Sequence, residues 1–152
     1  MTKPKVLVAA QNPGSANAVL PVINKLLADE KVETTIVAHR DAIKSFTSRR
    51  LPYKTVEDYA LNELEYETVG RILETEKPNF IVTGSSAGIR IEAGLILAAR
   101  ELGIRTISIL DNPGNYRIRV RNDVTGEELG CMPDIHTALS ANTLEQMVAD
   151  GF

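Results

Sequence analysis

Two junctions of strand, small polar loop and helix constrain the fold of this chain more than any other feature. In the first, a short apolar run at Lys5–Ala10 leads into the loop 11–15, which reads QNPGS. In the second, Phe80–Thr83 leads into the loop 84–88, which reads GSSAG. In an open parallel sheet, ligands bind beyond the carboxyl ends of the strands, where helix N-termini offer unpaired N–H groups. The two loops therefore predict one crevice suited to a phosphate, a carboxylate or a sugar.

Apolar patterns along the rest of the chain predict an alternation of strands and helices. We expect further strands at 34–38, 51–56, 106–110 and 134–140, and helices from 17, at 39–46, from 57 to 77, up to 103 and from 142 to 151. The helix from 57 carries the apolar stripe Leu61, Leu64, Val69, Ile72 and Leu73. Because the connections have helix length, the strands should be parallel with right-handed crossovers. We therefore expect a three-layer α/β/α Rossmann-like fold with a doubly wound sheet of order 3-2-1-4-5, and a sixth strand beside the fifth.

The segment 116–132 is too long and too polar for an ordinary connection. Arg117, Arg119 and Arg121 alternate with apolar residues at period two, and Thr125-Gly126 is typical of a turn. This pattern predicts a β-hairpin excursion from the sheet.

Composition limits the partners of the chain. With 152 residues, of which 43% are hydrophobic and 24% charged, the sequence is typical of one globular domain. The net charge of −3 argues against a nucleic-acid partner. The longest apolar runs are too short for a transmembrane segment, and the single cysteine, Cys131, fits a cytoplasmic location. We predict neither a metal site nor a cofactor.

The two glycine-containing loops supply most of the predicted ligand-binding residues. In the first loop these are Asn12, Gly14 and Ser15. An ordinary βα turn fits this loop equally well, with a positive φ at Gly14 and a helix cap at Ser15 or Asn17. In the second loop they are Gly84, Ser85, Ser86 and Gly88, because small residues admit a ligand to the backbone and the hydroxyls can donate to oxyanions. The alternative for the second loop is a helix cap by Ser85 or Ser86, with small residues that allow tight packing of a buried helix.

A third candidate loop, which reads DNPGNY at 111–116, follows the predicted strand 106–110. Asp111 is the candidate general base, and Asn112 and Tyr116 are candidate ligand contacts. Asp, Asn, Pro and Gly also build ordinary turns, so a purely structural loop stays open. The arginine row either binds an anion or forms a solvated strand edge. His39 follows the second strand, and a solvent-exposed histidine is the alternative to a ribose contact there.

Several stretches together resemble the amino-terminal domain of GT-B-fold glycosyltransferase-like proteins, which share their two-domain architecture with UDP-N-acetylglucosamine 2-epimerases. They are PNFIVTGSSAG at 78–88, IE at 91–92, AARELGI at 98–104, ILD at 109–111, NYR at 115–117, MPD at 132–134 and EQMVADGF at 145–152. The first strand, loop and helix fit the same architecture. The resemblance covers nearly the whole chain and lies mostly at the level of the fold.

This resemblance implies half of a catalytic cleft. In GT-B proteins the carboxyl-terminal domain holds most of the nucleotide-sugar site, and the amino-terminal domain mainly receives the acceptor. We therefore expect residues 1–152 to be one acceptor-side domain that binds a sugar, a sugar nucleotide or another anionic small molecule, and that needs a second domain or subunit for catalysis. The alternative is a stand-alone Rossmann-like module that binds an anionic metabolite, a nucleotide or a protein partner without chemistry. A homo-oligomer stays open.

Overall fold

The structure, a computed structural model, describes residues 2–61, 66–88 and 90–152. Its strands are β1 Lys5–Ala10, β2 Glu33–Ala38, β3 Phe80–Thr83, β4 Arg105–Ser108 and β5 Ile135–His136. Within the described residues these strands form one parallel sheet in the order β2-β1-β3-β4-β5. Strand β1 lies between β2 and β3, with Val8 paired to Ile36 of β2 and to Val82 of β3. The strand order reverses between β1 and β3, which is where the two glycine-containing loops leave the sheet.

Six helices connect the described strands or follow them. They are α1 Pro13–Ala28, α2 Asp41–Ser48, α3 Tyr66–Glu76, α4 Ile91–Leu102, α5 Tyr116–Val120 and α6 Ala141–Ala149, with a short 3-10 helix at Val56–Tyr59. As predicted, α4 stops at Gly103, whose φ of 67° suits a glycine after the last turn. Residue Leu64 of the predicted stripe lies outside the described residues. No helix in the described part of the chain is long and apolar enough to cross a lipid bilayer.

The sheet separates two apolar cores, because successive side chains of a strand point to opposite faces. On one face, Leu7 packs in a cluster with residues of α3 and α4 that includes Leu95. On the other face, Val8 packs in a cluster with Val19 of α1 and Phe46 of α2. The helices thus cover both faces of the sheet, and the predicted three-layer α/β/α fold is confirmed.

The predicted strand order holds, but its two outermost strands are shorter than expected. The strand predicted at 51–56 is reduced to one parallel bridge between Lys54 and Val37 of β2. Pro52 has no N–H for a ladder, and the 3-10 helix begins already at Val56, so little room is left for pairing. The strand predicted at 134–140 is present beside β4 as the two residues of β5.

The predicted β-hairpin at 116–132 is wrong. Tyr116 and Val120, four residues apart, are both buried on one face of helix α5, and Asn115 enters the helix with a left-handed φ of 55°. Period-two alternation of arginines over five residues does not distinguish a strand from about one and a half turns of a helix. After α5 the chain returns through turns around Gly126, and the Cys131 N–H donates to the Val120 carbonyl at 2.7 Å.

Candidate functional site

Three loops meet beyond the carboxyl ends of β1, β3 and β4, and two glycines allow their contact. A Cβ atom on Gly84 would lie 2.2 Å from the Cβ of Ser15, in the first turn of α1. A Cβ atom on Gly14 would lie 2.2 Å from Oδ2 of Asp111. Gly14 is absent from the described glycines with positive φ, so the alternative that it serves a turn conformation is wrong. Both glycines are needed because neighbouring loops approach their backbone closely.

The polar side chains of the first loop hold the start of α1. Asn12 is the N-cap, and its Oδ1 accepts the Ser15 N–H at 2.8 Å. The Ser15 hydroxyl oxygen in turn accepts the N–H groups of Gln11 at 3.0 Å and Asn12 at 3.3 Å. This reciprocal capping box, with Pro13 in the first helical position, explains why α1 begins four residues before the predicted position 17. The cap is Asn12, not Ser15 or Asn17.

The serines of the second loop point into the protein. Ser85 and Ser86 are buried, and the Ser86 hydroxyl donates to Oε1 of Glu92 at 2.9 Å. Gly88 differs, since it is exposed, has a φ of 85° and would have nothing within 4 Å of an added Cβ. Gly88 is therefore required for its backbone conformation, and its open side faces no described neighbour.

Glu92 is a fully buried carboxyl beneath the first two loops. Its Oε1 accepts the Gln11 N–H at 3.1 Å as well as the Ser86 hydroxyl, and among the described residues its Oε2 has no hydrogen-bond partner. Burial raises the pKa of Glu92, and the hydrogen bond from Ser86 opposes this shift only in part. The carboxyl joins the β1–α1 loop to the first turn of α4.

An ion pair between Asp111 and Arg119 organises the third loop. The Arg119 Nη1 donates to Asp111 Oδ1 at 2.6 Å, and both side chains are about 10% exposed. The same nitrogen donates to the Ser85 carbonyl at 2.7 Å, and Nη2 donates to Asn112 Oδ1 at 2.8 Å. Nε donates to the Gly114 carbonyl at 3.2 Å. One guanidinium group thus links the second loop to the third.

The role of Arg119 is the main feature that the sequence analysis missed. The arginine row predicts a strand with an anion-binding or solvated edge, whereas the helix turns Arg117 outward and Arg119 inward. The helical spacing of Tyr116 and Val120 was the available signal, because a buried face with that spacing places Arg119 beside it.

Arg90, whose role the sequence did not predict either, joins the second loop to the end of α5. It is 1% exposed, and its Nη1 donates to the Ser86 carbonyl at 2.8 Å. The guanidinium also donates to the carbonyls of Ile118, Arg119 and Arg121 at the end of α5. These carbonyls have no partners within a helix that ends there, so a buried cation suits them.

An open groove of about 500 Å³ runs along this edge of the sheet between α1 and the third loop. Of the predicted site residues, Gly14, Asp111 and Asn112 line it. The other lining residues are Asn17, Ala18, Pro21, Ile109, Leu110 and Leu139. The groove offers amide, carboxylate and apolar surfaces together, which is the usual composition of a small-molecule site.

The other candidate residues lie away from the lining of this groove. Tyr116 is buried against α6, and its hydroxyl donates to Gln146 Oε1 at 2.8 Å. Burial lowers the pKa of His39, so a neutral imidazole is favoured at the end of β2. Burial raises the pKa of the Cys131 thiol, which is typical of an unreactive cysteine. In the described ranges, no group of three or more His, Cys, Asp or Glu residues could hold a metal ion.

Comparison with solved structures gives matches over nearly the whole chain. The chain is similar to UDP-GlcNAc 2-epimerase from Neisseria meningitidis bound to UDP-GlcNAc, with 15% identity and a TM-score of 0.69 over 97% of this chain and 44% of that one. It is similar to S. aureus MnaA in a co-structure with UDP, with 16% identity and a TM-score of 0.68 over 98% of this chain and 42% of that one. It is also similar to Acinetobacter baumannii MurG, with 15% identity and a TM-score of 0.59 over 91% of this chain and 42% of that one.

The chain has the fold of one half of such enzymes. It spans less than half the length of these solved structures. The resemblance to GT-B and epimerase-like proteins is thus confirmed for the fold. No protein-family profile and no curated protein sequence matches the chain.

Proposed function

We propose that this chain is the acceptor-side, amino-terminal domain of a sugar-nucleotide enzyme of the GT-B type. The observation that carries the proposal is the groove beside Gly14, Asp111 and Asn112 at the carboxyl ends of the strands. Amide and carboxylate groups beside an apolar wall suit the hydroxyl groups and the apolar face of a sugar ring. The similar solved structures include proteins bound to UDP and to UDP-GlcNAc, which supports a sugar nucleotide as the ligand class.

The chain needs a second domain or subunit for catalysis under this proposal. Transfer or epimerisation of a nucleotide sugar requires donor phosphates whose charge is held and neutralised, and this electrostatic effect is usually the largest in such catalysis. The described lining of the groove includes no lysine or arginine, and the nearby Arg119 is already paired with Asp111. A second domain facing the groove would supply the further cations that the donor phosphates need, with Asp111 as the candidate general base on this side.

Binding can be tested on the isolated chain by NMR. The ¹⁵N-labelled chain is titrated with UDP-, CMP- and GDP-sugars and with the corresponding free sugars, and the expected shift changes cluster at Gly14, Asn17, Asp111 and Asn112. Asn112→Ala should weaken this binding severalfold, while Asn142→Ala, an exposed amide on α6, serves as the matched control. Shift changes that avoid the groove would contradict the proposal. Changes with simple anionic metabolites but with no sugar would favour the stand-alone binding module instead.

Catalytic incompleteness is tested separately by turnover. The purified chain, incubated with the same panel of nucleotide sugars, should release nucleotide no faster than a protein-free blank. Release clearly above the blank would show that the chain holds a complete active site, and the need for a second domain would then be refuted.

A further inference from the structure

The Asp111 carboxylate is held by the guanidinium of Arg119, and this guanidinium has further contacts that do not involve Asp111. Arg119 keeps contacts with the carbonyls of Ser85 at 2.7 Å and Gly114 at 3.2 Å, neither of which depends on Asp111. The carboxylate of Asp111, by contrast, has Arg119 as its only charged partner among the described residues, and its other hydrogen bonds come from the adjacent Asn112. If the carboxylate moved away, the guanidinium would keep its position.

The carboxylate also occupies a place that an external anion could use. Its Oδ1 lies on Arg119, its Oδ2 lies against the backbone of Gly14 in the first turn of α1, and Asp111 lines the groove. The guanidinium and the first turn of α1 both attract negative charge. Gly14 has no side chain to fill this space, so a ligand oxygen that replaced Oδ2 would meet the same backbone.

We propose that Asp111 is an internal counter-ion of Arg119, which a phosphate group entering the groove replaces. The phosphate takes the place of the carboxylate on Nη1 of Arg119, and Asp111 is released into the groove beside the bound ligand. A terminal or inorganic phosphate carries more negative charge than a carboxylate, and every phosphate group offers several acceptor oxygens to a guanidinium fork. This inference rests on the proposed function only in taking the groove as the ligand site, and it adds the chemical class of the group that Arg119 binds.

The exchange makes an unusual prediction, namely that loss of Asp111 strengthens anion binding. Inorganic phosphate is titrated by calorimetry at constant ionic strength into the full chain and three variants. Asp111→Asn should bind phosphate about tenfold more tightly than the wild type, since a close competing charge is worth this much or more. Arg119→Gln should lose the binding, and Arg117→Gln, which removes an exposed arginine of the same helix, should match the wild type.

Equal affinity of Asp111→Asn and the wild type would overturn the inference, and so would undiminished binding to Arg119→Gln. Thermal unfolding of each variant establishes that it is folded, and Asp111→Ser replaces Asp111→Asn if the latter is not. Acetate in a parallel titration should show a smaller gain than phosphate. Sugar-induced shift changes in the groove without a phosphate gain in Asp111→Asn would leave the proposed function intact and refute this inference. A phosphate gain in Asp111→Asn without any sugar binding would support this inference and count against the proposed function.

Discussion

At the scale of single residues, several polar side chains that the sequence predicts as ligand contacts form hydrogen bonds within the protein instead. Asn12 and Ser15 cap α1, and Ser86 donates to Glu92. Glu92 itself is unusual among the buried residues, because a carboxyl group with one unpartnered oxygen lies fully inside the described structure. Such a group is buried at lower cost when it keeps its proton.

The stability contributed by Glu92 should therefore depend on pH. Since burial raises its pKa in the folded state, the folded protein holds a proton that the unfolded chain releases as the pH rises through the ordinary range of glutamic acid. Its contribution is fully present at acid pH below that range and is lost progressively as the pH increases through the raised pKa. Glu92→Gln keeps the acceptor for Ser86 and Gln11 without an ionisable group, so it should gain stability relative to the wild type from about pH 4.5 towards neutrality.

Urea unfolding of both proteins at acid, intermediate and neutral pH measures this effect. Glu101→Gln removes the same charge from an exposed position of α4 and controls for net charge. A difference in unfolding free energy between Glu92→Gln and the wild type that stays constant with pH would contradict a buried, protonated Glu92.

At the scale of elements, the placement of two helices depends on contacts that are distant in sequence. The first turn of α1 lies directly against Gly84 at the end of β3, and α5 ends on the buried guanidinium of Arg90. Neither helix reaches its position through its own pattern alone. Close packing of backbone against backbone leaves no room for a methyl group at the first of these contacts.

Gly84→Ala should accordingly destabilise the chain through the packing of α1. The added Cβ would lie 2.7 Å from the Cα of Ser15, so backbone must move, and overpacking of this kind costs about 1–3 kcal/mol. Gly70→Ala is the matched control, because its Cβ would meet only the Ala98 Cβ at 3.9 Å and its position inside α3 favours alanine by about 0.5–1 kcal/mol. Denaturant unfolding compares the two, and a Gly84→Ala variant as stable as the wild type would show that α1 is not tightly docked.

At the scale of the whole molecule, stability should be graded from the centre of the sheet to its edge. Strands β1 and β3 have a strand on each side and helices on both faces. Strand β5 contributes two residues at the edge, and Ile135 is 49% exposed. The groove is lined by residues of α1 and of the segments that follow β4 and β5, so it lies towards the β5 side of the sheet.

Native-state hydrogen exchange should resolve this gradient. Amides of β1 and β3 are expected to exchange only through global unfolding, whereas those of β5 exchange through local opening with a smaller free energy. NMR exchange rates measured over a range of denaturant distinguish the two routes. Equal protection of β5 and β1 would indicate that the edge strand unfolds together with the core.

The sequence by itself determined the layered fold, because that information is local. Buried strands such as Phe80–Thr83 are continuous apolar runs, helices show their stripes, and the helix-length connections require a parallel sheet whose order brings β1 beside β3. The crevice position followed from that topology. The topology also placed Gly14, Asp111 and Asn112 at this edge, where they line the groove, since residues at strand ends collect at one edge whatever their partners are.

Only the tertiary structure decided which of these residues face the groove and what holds them there. Asn12 and Ser86 look like ligand contacts in the sequence, yet their partners Ser15 and Glu92 are nearby groups that satisfy them internally. The position of Arg119 required helix α5, and that helix required the buried guanidinium of Arg90, which lies 29 positions away in the chain from the carbonyl of Arg119. Hydrogen bonds between distant segments depend on how the loops pack in three dimensions, and a periodic pattern read along one segment carries no record of them.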